Sequence, residues 1–261
     1  MNDSMVGQVA LVTGAGSEFG IGFAAARRLG RAGASVAVAS TSDRIHQRVA
    51  QLEAEGITAV GLIADLTDED QVAECIAGAR RLGPIDILVN NAGMVSVAAG
   101  TDAHGPFDSL TLAQWDDAMR RNLSTAFLVS KAVLPEMRQR RYGRIVNVSS
   151  VSGPVVVFDN GSPYAAAKAA MVGMTKALAL EVAHLGITCN AIAPGWINTA
   201  AAIDKEQAAG YASPTARPGT ADEAAACIEF LASPSASYVT GTLLIVDGGN
   251  SLVEDLNRRP A

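Results

Sequence analysis

Cysteine is scarce here, and basic charge is not in excess. The 261-residue chain has three cysteines, Cys75, Cys189 and Cys227, widely spaced, with no CxxC pair and no paired histidines. That argues against a disulfide framework or a metal site and suits a reducing compartment. Their plain role is that of small buried hydrophobes. Net charge is −6 with no run of Lys or Arg, so neither a nucleic-acid surface nor a nucleic-acid partner is expected. No run that is apolar throughout reaches the ~18 residues of a membrane span. The alanine-rich stretch 164–183 comes closest, and Lys168, Lys176 and Glu181 interrupt it. The opening MNDSMVGQVALV lacks a basic leader pattern. A cytoplasmic protein without a membrane partner is expected. His46, His104 and His184 lie in separate segments and are given no role.

What is present is alternation. With 49% hydrophobic and 18% charged residues the composition is that of a globular protein. Short apolar runs at Val9–Val12, Ser35–Ala39, Thr58–Ile63, Ile85–Val89, Arg144–Val148, Thr188–Ile192 and Thr242–Val246 alternate with helical patterns near 21–30, 43–55, 69–81, 112–140, 164–184 and 221–232. Capping pairs are read at Thr67 with Asp70, Thr111 with Gln114, and Thr220 with Glu223. Strands that are apolar throughout, separated by helices, predict an α/β protein: a doubly wound, seven-stranded parallel sheet with helices on both faces. The unbroken alternation predicts one domain over 1–261, with its core at about 6–250 and a short tail at 251–261. The least regular segment, 193–219, holds Pro194, Gly195, Pro214, Pro218 and Gly219, and predicts a functional loop, with a substrate lid at about 197–217.

Ligands of such a sheet bind beyond the carboxyl ends of its strands. There the sequence reads TGAGSEFGIG, STSDR, ADLTD, VNNAG, NVSS and APGWINT. The first, Thr13–Gly22, turns from a strand into a helix, where outward N–H groups and the helix dipole hold an anion. It departs from the dinucleotide fingerprint G-x-G-x-x-G, because Phe19 stands where the third glycine belongs. YAAAK sets Tyr164 and Lys168 one helical turn apart on one face. A neighbouring ammonium favours the phenolate, making tyrosine a usable proton donor and acceptor near neutral pH.

The glycine turn, NNAG (Asn90–Gly93), Asn122 in RNLSTAF, Ser150 in NVSS, YAAAK and PGWINT occur in an order that resembles the short-chain dehydrogenases/reductases, particularly the 3-oxoacyl-(acyl carrier protein) reductase-like members. The resemblance covers about residues 6–250 and implies a Rossmann fold binding NAD(P)(H). It implies a catalytic tetrad in which Tyr164 exchanges the proton of the carbonyl oxygen, Ser150 hydrogen-bonds that oxygen, Lys168 lowers the tyrosine pKa and holds the nicotinamide ribose, and Asn122 stabilises a local helix break and an ordered water. For the cofactor it implies Gly14, Gly20, Ile21 and Gly22 at the pyrophosphate, and Asp65 and Leu66 at the adenine. Asn91, Ala92 and Gly93 would lie along the adenosine-side ribose. Ile197 and Thr199, after Pro194 and Gly195, would meet the carboxamide. Two departures stand out. Five residues separate Gly14 from Gly20, two more than usual, which reads as a bulge in a working phosphate loop. Ser150 precedes Tyr164 by 14 positions, one more than is usual. Ser149 is farther still, so Ser150 is the catalytic choice.

The second strand ends in Ser40, Thr41 and Ser42 rather than the acid that binds ribose hydroxyls in NAD enzymes, and Arg44 is near enough in sequence to pair with a phosphate. Ser17 is a further donor from the bulge. NADP(H) is therefore favoured, while Glu18 and Asp43 point the other way and leave NAD(H) open. Val95, Val97, Val155, Val157, Phe158 and Trp196 are read as apolar walls for a hydrophobic ketone or alcohol. The expected activity is ketone–secondary alcohol interconversion. Alternatives are a 3-oxoacyl-(acyl carrier protein) reductase, favoured if Arg138, Arg140, Arg141 and Arg144 stood at the entrance, and a catalytically silent cofactor sensor. The many alanines of 164–184 predict close helix packing, and a homotetramer as in the family.

Overall fold

Runs that are apolar throughout leave neither face in water, so they form strands covered on both sides. The structure is a computed structural model that describes residues 4–93, 104–199 and 204–253. Its strands are β1 (Val9–Thr13), β2 (Ser35–Ser40), β3 (Ala59–Ile63), β4 (Ile85–Asn90), β5 (Gly143–Val148), β6 (Ile187–Pro194), β7 (Ile197–Asn198), β8 (Gly219–Thr220) and β9 (Leu243–Val246). Seven form one sheet in the order β3-β2-β1-β4-β5-β6-β9, all parallel, while β7 and β8 pair separately. The helices are α1 (Ile21–Arg31), α2 (Arg44–Ala54), α3 (Glu69–Ala79), α4 (Leu112–Met119), α5 (Thr125–Arg140), α6 (Ser162–Val182), α7 (Asp204–Tyr211) and α8 (Ala221–Ala232).

Side chains alternate across each strand, and the two faces carry separate cores. Ala10 and Val12 of β1 and Val36 and Val38 of β2 pack with Phe23 and Leu29 of α1 and Ile228 of α8. Leu11 and Ala37 face the other way, into a core with Val72 and Ile76 of α3, Val133 and Met137 of α5, and Val182 of α6. The strand order reverses between β1 and β4, and a crevice at that switch point is where such sheets take ligands.

Three expectations are corrected. The pattern over 112–140 is not one helix: a π-helical turn, Arg120–Ser124, separates α4 from α5. The irregular segment 193–219 contains β7, α7 and β8. The cap of α3 is Asp68 rather than Thr67. Asp68 accepts from the amides of Asp70 and Gln71, whereas the Thr67 hydroxyl donates to Asp65. A carboxylate in the N-cap position satisfies two amides, and Thr67 stands one residue too early. The capping boxes at Thr111/Gln114 and Thr220/Glu223 form as read.

Candidate active site

The glycine turn is held by contacts that only glycine and small polar groups permit. Gly14 has φ +67°, and a Cβ there would stand 2.8 Å from the Ala92 Cα. A Cβ on Gly22 would lie 2.5 Å from Asn91 Nδ2 and 2.7 Å from the Gly14 carbonyl oxygen. Asn91 Nδ2 donates to the carbonyls of Thr13 and Gly14 at 3.1 and 3.0 Å and so braces the turn. Thr13, given no role from sequence, accepts from the Asn91 and Ala92 amides at 3.0 Å each and ties β1 to the end of β4. α1 begins after Gly20 with no side-chain cap and no acid in its first turn. Its first amides are thereby left to an anion, and this cradle fits a dinucleotide pyrophosphate.

At the end of β2 the side chains are hydroxyls. Ser40 Oγ donates to the Ser42 carbonyl at 2.9 Å, and Arg44 Nε donates to Ser42 Oγ at 3.3 Å. Thr41 and Arg44 are exposed. Glu18 does not join them. Gln51 Nε2 donates to one of its carboxylate oxygens at 3.0 Å, and Arg48 lies 3.5 Å from the other. This pairing was missed from sequence, although Arg44, Arg48 and Gln51 share helical spacing on α2. At the end of β3, Asp65 is exposed and accepts from the Thr67 amide and hydroxyl, which hold its carboxyl below the usual range. Leu66 is buried in the core beside α3, leaving Asp65 as the accessible member of that pair.

β5 and α6 bring the Tyr, Lys and Ser together. Lys168 is buried beneath Tyr164, its Nζ 5.6 Å from the ring centroid and donating to the Val148 carbonyl at 3.0 Å. Burial pulls its pKa from the ordinary 10.5 to about 8, so the ammonium is still the major form at pH 7. Ser149 donates its hydroxyl to the Lys168 carbonyl at 2.9 Å and is thereby turned into α6. Ser150 Oγ instead accepts from the Ser152 amide at 3.0 Å, which leaves its proton for another acceptor. Asn122 lies in the π turn, buried, with Nδ2 donating to the Ala118 carbonyl at 3.1 Å. Among the described residues its buried Oδ1 has no hydrogen-bond partner, and a Cβ on Gly93 would come within 3.0 Å of it. An acceptor left open in a turn that packs against α6, the helix of Lys168, suits the polar chain that the resemblance implies.

The substrate walls divide. Phe158 stands 6.3 Å from the Tyr164 ring, with His104 5.8 Å beyond it. Val155 and Val157 are exposed on the same segment. Trp196 lines another cavity, with Ser213, Thr215, Arg217 and Asp247, which no tetrad residue lines. Ile197 packs toward the core, Thr199 follows half-buried, and Gly195 is pressed against Asp247, where a Cβ would meet the Asp247 Cβ at 2.6 Å. Pro194 accepts from the Val151 amide at 3.0 Å and so ties β6 to the Ser150 segment. Val95, Val97, residues 200–203 of the expected lid and the tail from 254 lie outside the described residues. Among the described residues no cluster of His, Cys, Asp and Glu could hold a metal, and no helix is long and apolar enough to cross a membrane.

The glycine turn stands at the switch point of the sheet and the Tyr–Lys pair on α6, and the comparisons with known proteins give the family. A family model described as enoyl-(acyl carrier protein) reductase matches residues 14–251. The chain is 39% identical over 258 residues to the Escherichia coli 3-oxoacyl-[acyl-carrier-protein] reductase FabG, covering 95% of this chain and 98% of that one. It is 37% identical over 269 residues to the Salmonella typhimurium oxidoreductase UcpA, covering 97% and 98%. A solved Burkholderia xenovorans structure assigned to the short-chain dehydrogenases/reductases superposes with a TM-score of 0.87 at 35% identity, covering 97% and 99%. The chain belongs to the short-chain dehydrogenase/reductase family and is an oxidoreductase of it.

Proposed function

We propose that this oxidoreductase interconverts a hydrophobic ketone and its secondary alcohol, with NADP(H) preferred. The observation that carries the reading is Tyr164 half-buried over the Lys168 ammonium on α6, with Ser149 committed to the Lys168 carbonyl and the Ser150 proton left uncommitted at the end of β5. The nicotinamide, when bound, supplies or accepts the hydride. Tyr164 gives its phenolic proton to the carbonyl oxygen in reduction and takes it back in oxidation. Ser150 donates to the same oxygen as charge develops there. Lys168 favours the phenolate and holds a ribose hydroxyl, and Asn122 offers Oδ1 to the chain of groups that resupplies the proton. Gly14, Gly20, Ile21 and Gly22 take the pyrophosphate. Asp65, with the backbone of Leu66, meets the adenine, and Asn91, Ala92 and Gly93 line the adjoining ribose. Pro194, Gly195, Ile197 and Thr199 border the nicotinamide. The segment 197–217 is a lid. Ser17, Ser40, Thr41 and Arg44 favour a 2′-phosphate, and the pairing of Glu18 with α2 supports that preference.

A 3-oxoacyl-(acyl carrier protein) reductase is the second reading, favoured by the 39% identity to enzymes of that name. The arginine cluster gives it no support at the mouth of the chain's own site. Arg138, Arg140 and Arg144 lie where α5 ends and β5 begins, the sheet end opposite Tyr164, and Arg138 and Arg140 pair with Glu181 and Asp86. We place the enzyme in the cytoplasm as a homotetramer built on α5 and α6, where Phe127 and Leu180 are exposed. Light scattering giving a monomer at micromolar concentration would reject the tetramer. The activity is tested by following reduced-nicotinamide absorbance with free aryl and cyclic ketones and with carrier-bound 3-oxoacyl thioesters. Faster turnover of free ketones is expected. Turnover confined to carrier-bound thioesters would install the second reading, and no turnover of any would make the chain a silent sensor.

A further inference from the structure

The enlarged glycine turn presses on the end of β2. The Ala15 amide donates to the Ala39 carbonyl at 3.0 Å, and a Cβ on Gly16 would stand 2.9 Å from the Ser40 Cβ. Residues 17–19 follow directly, so a carboxylate there faces whatever binds at Ser40 unless something draws it aside. Glu18 is drawn aside. It reaches across to α2, to Gln51 at 3.0 Å and to Arg48 at 3.5 Å. Arg48 is set for that task. Its side chain is 9% exposed, and its guanidinium lies 5.4 Å from the Phe23 ring centroid. An arginine that is nearly dehydrated is retained only with a partner, and its carboxylate partner among the described residues is Glu18.

We propose that Arg48 is a specificity-determining positioning residue: by holding Glu18 on α2 it keeps negative charge off the adenosine 2′ position and leaves the Ser40–Arg44 segment open to a 2′-phosphate. Arg48 itself does not touch the nucleotide. The proposal rests on the NADP(H) reading. A carboxylate released to within ~6 Å of a phosphate in a partly exposed site weakens binding by about tenfold.

The test is calorimetric and needs no turnover. Adenosine 2′,5′-bisphosphate is titrated against adenosine 5′-monophosphate, and the affinity ratio is compared among wild type, Arg48→Met, Arg48→Lys and Arg48→Met with Glu18→Gln. Arg48→Met is expected to lower the ratio about tenfold, and less at high salt, where the exposed carboxylate is screened. Arg48→Lys keeps the charge and should hold the ratio within about threefold. Glu18→Gln should restore it in the Arg48→Met background, a rescue that general loosening of α2 cannot produce. An unchanged ratio in Arg48→Met overturns the proposal, and so does a fall that Glu18→Gln does not rescue, which would make Arg48 a direct phosphate ligand. If wild type shows no preference for the bisphosphate, the NADP(H) reading fails instead. The Arg48 proposal is then decided by whether Arg48→Met still lowers the ratio and Glu18→Gln restores it.

Discussion

The glycine turn and the Tyr164 helix do their work in different ways. Around α6 the working groups are set by short local spacings: one helical turn from Tyr164 to Lys168, and two adjacent serines at a strand end with opposite hydrogen-bond commitments. Around the turn they are set by contacts between distant segments, with Asn91 after β4 bonded to Thr13 and Gly14, and Arg48 and Gln51 reaching Glu18 from α2. Local spacing is written in sequence. A tertiary brace is written only as a residue type, and its partner appears when the chain folds.

The sharpest way to break the comparison is at the turn. Gly22→Val would drive a side chain into Asn91 Nδ2 at 2.5 Å and the Gly14 carbonyl at 2.7 Å. Nucleotide affinity should fall by more than ~10²-fold, since the backbone carrying the phosphate site must move. Near-normal affinity by titration would show that the turn has slack. On the α6 side, Ser150→Ala should lower kcat by about 10²-fold. Ser149→Ala loses a buried hydrogen bond to the Lys168 carbonyl and should lower stability by about 1 kcal/mol with only a small kinetic effect. The reverse order in a steady-state assay would assign the wrong serine.

Much of this was legible beforehand. All seven sheet strands lie where the apolar runs place them, because strands buried on both faces have no other solution. The π turn at Arg120–Ser124 was not visible as a pattern, since inserting one residue in a turn leaves helical periodicity nearly intact, and only the resemblance pointed to a break. α7, DKEQAAGY, carries no apolar stripe and so gave no signal of a helix. The bonds from the Asn91 amide to the turn carbonyls were not legible either, because they join segments 77 and 78 residues apart. That Trp196 borders a cavity with Thr215 and Asp247 was not legible, because those residues meet only when the chain folds.

Two smaller effects sharpen the contrast. Arg44→Ala should lower kcat/KM for NADPH by about tenfold and leave NADH within about twofold, because an exposed guanidinium contributes a single charge-assisted contact. An NADH preference in wild type, untouched by that change, would return cofactor choice to Glu18 or Asp43. The smallest effect is on stability. Lys168 titrates near 8 in the folded chain and near 10.5 when unfolded. Between those values the unfolded chain binds the extra proton, so this residue makes stability rise with pH across about 8 to 10.5. Cys75 and Cys189, whose thiols burial pushes up, work against it at high pH. Denaturant midpoints for wild type and Lys168→Met across that range isolate the lysine. An identical pH slope would show that its folded pKa is not depressed.

The central claim is that Tyr164 moves the proton while the rest of the site holds the nucleotide. Tyr164→Phe keeps the ring over the Lys168 ammonium and removes only the hydroxyl. Ketone turnover and NADPH affinity, measured on one preparation of this variant, separate the two functions. Turnover should fall by at least ~10²-fold while the dissociation constant stays within about threefold. Near-normal turnover would remove Tyr164 from the chemistry and, with it, the account of the site.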